Sequence, residues 1–143
     1  MNKMPIKFND KLRGINVDIE LDRKYTIVFG NSGTYKSLLY EIIRDKGLNN
    51  VLCFNYDSKD ADIASSISKK QSEYEGDLLV IIDDADELFC KQPELIDTIL
   101  FDITTTKFLI YTNNFIFTHD ASLWAQIKND KNTLRLQYRF SND

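Results

Sequence analysis

The chain has 143 residues, of which 43 % are hydrophobic, enough to build one continuous core, and we expect a single domain spanning residues 1–143. The formal net charge of -4 at pH 7 argues against a broadly basic surface for nucleic acid, because phosphate contacts require clustered Lys and Arg. No apolar run approaches the roughly 20 residues that span a bilayer, and no secretory signal begins the chain, so we expect a cytoplasmic protein without membrane contact.

The first predicted elements alternate between apolar and polar residues. Residues 6–8 and 15–21 have this period-2 pattern, which predicts a half-exposed antiparallel pair joined at residues 9–14. We expect this pair to add a flanking ribbon to a main sheet.

The middle of the chain alternates strand-like and helix-like segments. The continuous apolar runs that predict buried parallel strands are residues 25–29, 51–56, 78–83 and 108–112. The segments of helical spacing between them are residues 36–46, 60–70 and 93–102. Such alternation is typical of an α/β fold, and we expect three layers, with helices covering a mostly parallel sheet.

The end of the chain is predicted to contain one helix and one strand. The helix is expected around residues 121–128. In the strand after it, Leu134, Leu136, Tyr138 and Phe140 alternate with polar residues, which predicts one solvated face.

The segment 30–37 joins a predicted buried strand to a predicted helix. A chain that turns in this way can point consecutive backbone N–H groups inward, and the helix adds the positive end of its dipole, so a triphosphate fits the turn. Lys36 is expected to reach the β- and γ-phosphates, and the Ser37 hydroxyl to bind Mg²⁺. The alternative is an ordinary turn capped by Ser32 or Thr34. The predicted nucleotide-contacting residues are Gly30, Asn31, Ser32, Gly33, Thr34, Tyr35, Lys36 and Ser37.

Tyr35 stands where glycine is usual in such a loop, because the backbone packs closely there. Its side chain is predicted either to tilt outward and stack on a base or partner, or to narrow the pocket and weaken binding.

Two carboxylates end the strand at residues 78–83. Asp83 is predicted to hold Mg²⁺ through a water shared with Ser37, and Asp84 to activate the attacking water. Asp84 is one methylene shorter than the glutamate that usually activates the water at this position. Its carboxylate would lie further from the attacking water, so we expect slow hydrolysis of the nucleotide. The alternative is that both carboxylates cap the next helix together with Asp86 and Glu87.

The strand at residues 108–112 is followed by Asn113-Asn114. We expect this strand to lie between the strands that carry the loop and the acid, so that Asn113 reaches a γ-phosphate or the water in front of it. His119 competes for the same role if the strand extends through residues 115–117. The other interpretation of Asn113-Asn114 is a simple turn.

Together, GNSGTYKS, LLVIIDDADEL and FLIYTNN resemble the additional-strand branch of P-loop ATPases, which includes AAA+ proteins and ABC or SMC-type ATPases. The resemblance covers residues 6–114 and implies ATP and Mg²⁺ as ligands, a degenerate Walker A element at residues 30–37, a Walker B element ending at Asp83, and a sensor role for Asn113. The N-terminal ribbon resembles that of ABC and SMC-type ATPases, in which an aromatic residue stacks on adenine. This resemblance implies Phe8 in that role, against the alternative of simple core packing.

The chain lacks a signature segment like LSGGQ and a helical lid. The resemblance therefore implies that a protein partner or a second copy of the chain completes the site, with Arg135 and Arg139 as possible donors. The leading hypothesis is an ATP-binding protein whose slow or partner-dependent Mg-ATPase activity serves as a conformational switch. The alternatives are a catalytically inactive P-loop module that acts as a structural or regulatory subunit and, ranked last, a small-molecule kinase.

Overall fold

The computed structural model describes residues 3–30, 35–59, 61–112 and 123–138. These residues form an α/β fold with one mixed sheet of eight strands and four helices. The strands are β1 (Met4–Asp10), β2 (Ile15–Leu21), β3 (Tyr25–Val28), β4 (Val51–Phe54), β5 (Leu79–Ile82), β6 (Lys107–Tyr111), β7 (Trp124–Asp130) and β8 (Thr133–Tyr138). The helices are α1 (Lys36–Lys46), α2 (Ile63–Glu73), α3 (Ala85–Lys91) and α4 (Glu94–Leu100). In this part of the chain, no helix is long and apolar enough to cross a membrane.

The strand order in the sheet is β1-β2-β8-β7-β3-β6-β5-β4. Strands β3, β6, β5 and β4 are mutually parallel neighbours, and they are the four strands predicted from continuous apolar runs. Such runs suit strands that are buried on both faces, because neither face alternates with solvent. Strand β6 lies between β3 and β5, as the sequence predicted.

The N-terminal ribbon is confirmed. Strand β1 pairs with β2 in antiparallel register, from Met4 opposite Leu21 to Asp10 opposite Ile15. Strand β2 then pairs in parallel with β8, where Val17 lies opposite Leu134, so the ribbon extends the sheet at one edge.

The helix predicted at residues 121–128 is wrong. Residues 121 and 122 lie outside the described residues, and Trp124–Asp130 is strand β7, parallel to β3 and antiparallel to β8. A short apolar segment is compatible with both the helical and the strand period. Hydrogen-bonded pairing with β3 and β8 stabilises it as a strand. The turn into β8 has φ 50° at Lys131 and φ 65° at Asn132, and positive φ at both central residues is the requirement of a tight two-residue hairpin.

The other helices lie where the sequence predicted helices, with differences at the ends of α2 (predicted 60–70) and α4 (predicted 93–102). Helix α1 has the predicted bounds, whereas α2 begins later than predicted, because the Asp62 side chain accepts a hydrogen bond from the backbone N–H of Ser65 and caps the helix. No bounds were predicted for α3. The sequence indicated a helix there only in the alternative that Asp83 and Asp84 cap it.

The helices cover both faces of the sheet. Helix α1 packs on one face with the ribbon, and α2, α3 and α4 pack on the other. Successive residues of β5 and β6 contribute to opposite cores, because side chains alternate along a strand. Ile81 and Leu109 belong to the α1 core, whereas Ile82 and Ile110 belong to the opposite one.

A polar network ties the segment before β6 to the rest of the fold. The Asp102 carboxylate forms an ion pair with Lys24 and accepts hydrogen bonds from Gln71 Nε2 at 2.8 Å and Thr104 Oγ1 at 2.8 Å. Burial raises the pKa of Asp102, but the hydrogen bonds from these partners outweigh it and hold the pKa below the usual value of 3.8.

We expect Asp102→Asn to lower the free energy of unfolding by about 1–3 kcal/mol at pH 7, because hydrogen bonds to a charged group are lost. A carboxyl with a lowered folded-state pKa stabilises the fold above its unfolded pKa, and this stability is lost as pH falls through the folded pKa. The deficit should therefore shrink below about pH 4 in urea titrations across pH. Exposed Asp57, as Asp57→Asn, is the control, and a deficit that does not change with pH contradicts the assignment.

Candidate functional site

Three neighbouring strands end together at the carboxyl edge of the sheet. Val28 of β3 pairs with Tyr111 of β6, and Ile110 pairs with Ile82 of β5. Beyond these pairs, Thr112 N–H donates to the Val28 carbonyl at 3.1 Å, so β3 and β6 stay in register to their ends. The loop after β3 therefore starts at the same edge of the sheet at which Thr112 and Asp83 lie. This arrangement was expected for strands carrying the loop and the acid.

Helix α1 starts close to this edge. Asn31, Ser32, Gly33 and Thr34 lie outside the described residues, whereas Gly30 and residues 35–37 are described. The Tyr35 carbonyl accepts the first helical hydrogen bond, from Leu39 N–H at 3.0 Å. Among the described residues, no side chain caps the helix at Tyr35, and its first turn holds no acid. The first turn therefore presents the positive end of the helix dipole without a described acidic side chain beside it.

Tyr35 has a backbone conformation that glycine adopts more easily. Its φ is 66° and its ψ is 7°, which is left-handed helical. A residue with a Cβ pays about 1–2 kcal/mol there, whereas glycine pays almost no steric cost. Tyr35 is 41 % exposed. Of the two orientations predicted for this side chain, the exposure agrees with the outward one.

Asp83 lies directly after β5 and is only partly exposed. Its backbone N–H donates to the Phe54 carbonyl at 2.8 Å, and its Oδ1 accepts from Asp84 N–H at 2.9 Å. Burial raises the pKa of Asp83, and the negative charge of Asp84 adds to the rise. The hydrogen bond from Asp84 N–H and the positive charge of Lys36 act in the opposite direction. Lys36 and Asp83, predicted from separate motifs, are therefore electrostatic neighbours.

Asp84 is exposed and its carboxylate is already engaged. Its φ is 52°, so both Tyr35 and Asp84, each directly before a helix at this edge, are left-handed. The Asp84 side chain makes no capping bond to α3; Oδ2 instead accepts from Tyr56 N–H at 3.2 Å. Strained non-glycine residues of this kind cluster at ligand sites more often than elsewhere.

Three residues at this edge were not selected from the sequence. Tyr111 is fully buried, and its ring meets that of Tyr40 on α1 edge-on, with centroids 6.5 Å apart. Thr112 donates its hydroxyl to Asp86 Oδ1 at 2.6 Å. In the sequence, an aromatic residue inside an apolar strand is most simply interpreted as part of the core. The one signal for Tyr111 was its phenol hydroxyl, which needs a hydrogen-bond partner when buried.

The remaining candidates lie elsewhere. Asn113, His119 and Arg139 are outside the described residues, so their predicted roles stay predictions. Phe8 on β1 packs against the α1 core, and the Lys46 ammonium lies 5.4 Å from its ring centroid. Arg135 on β8 forms an ion pair with Asp18 at 2.5 Å. Both Phe8 and Arg135 line a cavity of about 430 Å³ on the ribbon side of the sheet.

The donor atoms at the carboxyl edge suit a hard cation. Ser37 is exposed in the first turn of α1, and Asp83 and Asp84 supply carboxylate oxygens, the ligand type that Mg²⁺ prefers. Within the described ranges, no three His, Cys, Asp or Glu residues are grouped closely enough to hold a metal by themselves. A cation at this edge would therefore share its coordination with water or with a ligand.

Comparison with protein-family models, curated proteins and solved structures gives no match to this chain. The geometry and charge of the carboxyl edge are therefore the basis for inferring function.

The proximity of Lys36 and Asp83 predicts a measurable titration. Lys36→Met keeps the length of the side chain and removes its charge, so the pKa of Asp83 should rise further above that of an ordinary aspartate. Carboxyl ¹³C NMR across pH measures the shift. Lys69→Met is the control, because Lys69 is exposed on α2, which packs on the opposite face of the sheet. An equal Asp83 pKa in the two variants contradicts the placement of Lys36.

Proposed function

We propose that the carboxyl edge of the sheet binds the triphosphate of ATP together with Mg²⁺. The observation that carries the proposal is that α1 follows the carboxyl end of β3 and Asp83 follows the carboxyl end of β5, with β6 paired in parallel between the two strands. A cation at a helix N-terminus and a carboxylate two strands away at the same edge provide for both partners of a metal–phosphate ligand. The phosphates take the helix and the metal takes the acid.

The start of α1 is suited to an anion. Its first turn lacks both a side-chain cap and an acidic residue among the described residues, in contrast to α2, which Asp62 caps. Backbone N–H groups at a helix start for which the described residues supply no side-chain acceptor can bind phosphate oxygens. Lys36 adds a full positive charge, and Gly30, with φ 141°, begins the turn in a conformation that favours glycine.

The end of β5 is suited to the metal. One oxygen of Asp83 accepts from Asp84 N–H, which leaves the second for a metal-bound water. Burial and the charge of Asp84 disfavour the ionised form, and a divalent cation removes this penalty. Ser37 and Asp83 would hold the metal, which when bound neutralises phosphate charge and orients the terminal phosphate.

The strand order supports the proposal. The resemblance to additional-strand ATPases implies one strand between the strand of the loop and the strand of the acid. Strand β6 lies at that place, paired in parallel with both β3 and β5. Asn113, which follows β6, is the proposed contact of the γ-phosphate, and His119 is the alternative for the same role.

The proposed activity is slow or partner-dependent hydrolysis that serves as a conformational switch. Asp84 would orient the attacking water through Oδ1, because Oδ2 accepts from Tyr56 N–H, which fixes the direction of the carboxylate. A protein partner or a second copy of the chain would complete the site, with Arg135 or Arg139 as a donor.

The same hydrogen bond favours a second function, a module that binds nucleotide without hydrolysing it. Asp84 is shorter than glutamate and is held by Tyr56 N–H, so it is poorly placed to activate water. The rate of ADP release separates the two functions. Wild-type turnover that Asp84→Asn abolishes supports the switch, and tight binding with no turnover supports the module.

Isothermal titration with ATP and with a non-hydrolysable analogue, with and without Mg²⁺, tests the binding proposal. We expect micromolar, magnesium-dependent binding that weakens at least about tenfold in Lys36→Ala, because a charge-assisted contact to phosphate is lost. Lys69→Ala is the matched control and should bind as the wild type does. Absence of binding to the wild type, or equal binding by both variants, contradicts the proposal.

A further inference from the structure

The hydroxyl of Tyr111 is a buried polar group without a hydrogen-bond partner among the described residues. Tyr111 is only 3 % exposed and lies at the carboxyl end of β6. Leaving such a group unsatisfied costs about 1–3 kcal/mol, so phenylalanine would suit a purely structural position better. The hydroxyl therefore calls for a partner that the described residues do not supply.

Tyr111 and Asp83 are cross-strand neighbours on the same face of the sheet. Ile110 pairs with Ile82, and Tyr111 and Asp83 are the residues directly after this pair. Ile110 and Ile82 point toward the α2 side, so the next residue of each strand points toward α1. On this face, the ring of Tyr40 on α1 packs against the ring of Tyr111, with the two centroids 6.5 Å apart.

The charge near Tyr111 comes from Asp83. Burial raises the pKa of Tyr111 well above its usual value, and the negative charge of Asp83 is the next cause. The phenol thus keeps its proton and can only donate to the carboxylate. Asp83 Oδ1 accepts from Asp84 N–H, and Oδ2, with two lone pairs, can face a metal-bound water and also accept from the Tyr111 hydroxyl.

We propose that Tyr111 is a positioning residue of the metal site, whose hydroxyl donates a hydrogen bond to the Asp83 carboxylate when Mg²⁺ and nucleotide are bound. This inference rests on the proposed function. A hydrogen bond from a hydroxyl to a carboxylate is charge-assisted and about twice as strong as one between neutral groups. The bond fixes the direction of the oxygen that faces the metal-bound water, as outer partners of metal ligands commonly do.

Tyr111→Phe tests the inference through the magnesium dependence of ATP binding. The variant should need about tenfold more Mg²⁺ for half-maximal ATP binding, whereas ATP binding without Mg²⁺ should not change. Asp83→Asn should raise the magnesium requirement at least as much, and Tyr111→Phe should add little to it in the double variant. Tyr74→Phe, which removes the same atom from a ring at the end of α2 on the opposite face of the sheet, should keep the wild-type magnesium dependence.

The melting temperature of the protein without added ligand gives an independent test of the Tyr111 hydroxyl. Tyr111→Phe should leave the melting temperature unchanged or raise it, because no hydrogen bond is lost. Tyr138→Phe should lower it, because the Tyr138 hydroxyl has a partner in Thr26 Oγ1 at 3.0 Å.

Two results overturn the inference and can be told apart. If the wild type shows magnesium-dependent ATP binding that Lys36→Ala abolishes, but Tyr111→Phe keeps the wild-type magnesium dependence, the positioning role is wrong and the proposed function stands. If the wild type shows no magnesium-dependent binding, the proposed function is wrong and the role of Tyr111 is wrong with it.

Discussion

The account depends on the position of β6 between β3 and β5. Lys36 and Asp83 belong to segments separated by a helix, a strand and a second helix, and both lie at the carboxyl edge because β6 pairs in parallel with β3 and with β5. Parallel strands bring their carboxyl ends to one edge, so a lysine that starts the helix after one strand lies at the same edge as the carboxylate that ends another. The phosphate-binding and metal-binding halves of the proposed site follow from this single arrangement.

Unfavourable local features collect at the same edge. Tyr35 and Asp84 are left-handed, Asp83 is a partly buried carboxylate next to a second acid, and Tyr111 has a buried hydroxyl without a described partner. Such features also occur elsewhere: Lys131 and Asn132 have positive φ in the hairpin turn, and Asp22 Oδ1 and Asn129 Oδ1 are buried without a hydrogen-bond partner among the described residues. The carboxyl edge differs because strain, a buried carboxylate and an unsatisfied hydroxyl lie there together. Strain and unsatisfied groups are tolerated where a ligand can relieve them, which is the physical argument for a binding site at this edge.

The sequence predicted the elements whose pattern is set by burial. The four central strands are continuous apolar runs, and α1 has the predicted bounds, because its apolar spacing and the flanking turns agree. The prediction from sequence was wrong at β7, because Trp124 and Ile127 fit both the helical and the strand period. Only the pairing of this segment with β3 and β8 distinguishes the two. The proximity of Lys36 and Asp83 followed from the predicted strand order. The role of Tyr111 could not be foreseen, since a lone phenol in an apolar strand gives no sign of whether its hydroxyl has a partner.

Paramagnetic relaxation by Mn²⁺, which binds the same oxygen ligands as Mg²⁺, locates the metal most directly. The account predicts that Mn²⁺ added with ATP broadens the backbone amide signals of Lys36, Ser37, Asp83 and Asp84 first, and that ATP is required for this pattern. Broadening centred on the acidic residues of the ribbon, such as Asp10 and Asp18, or spread evenly over the chain, would contradict a metal–phosphate site at the carboxyl edge.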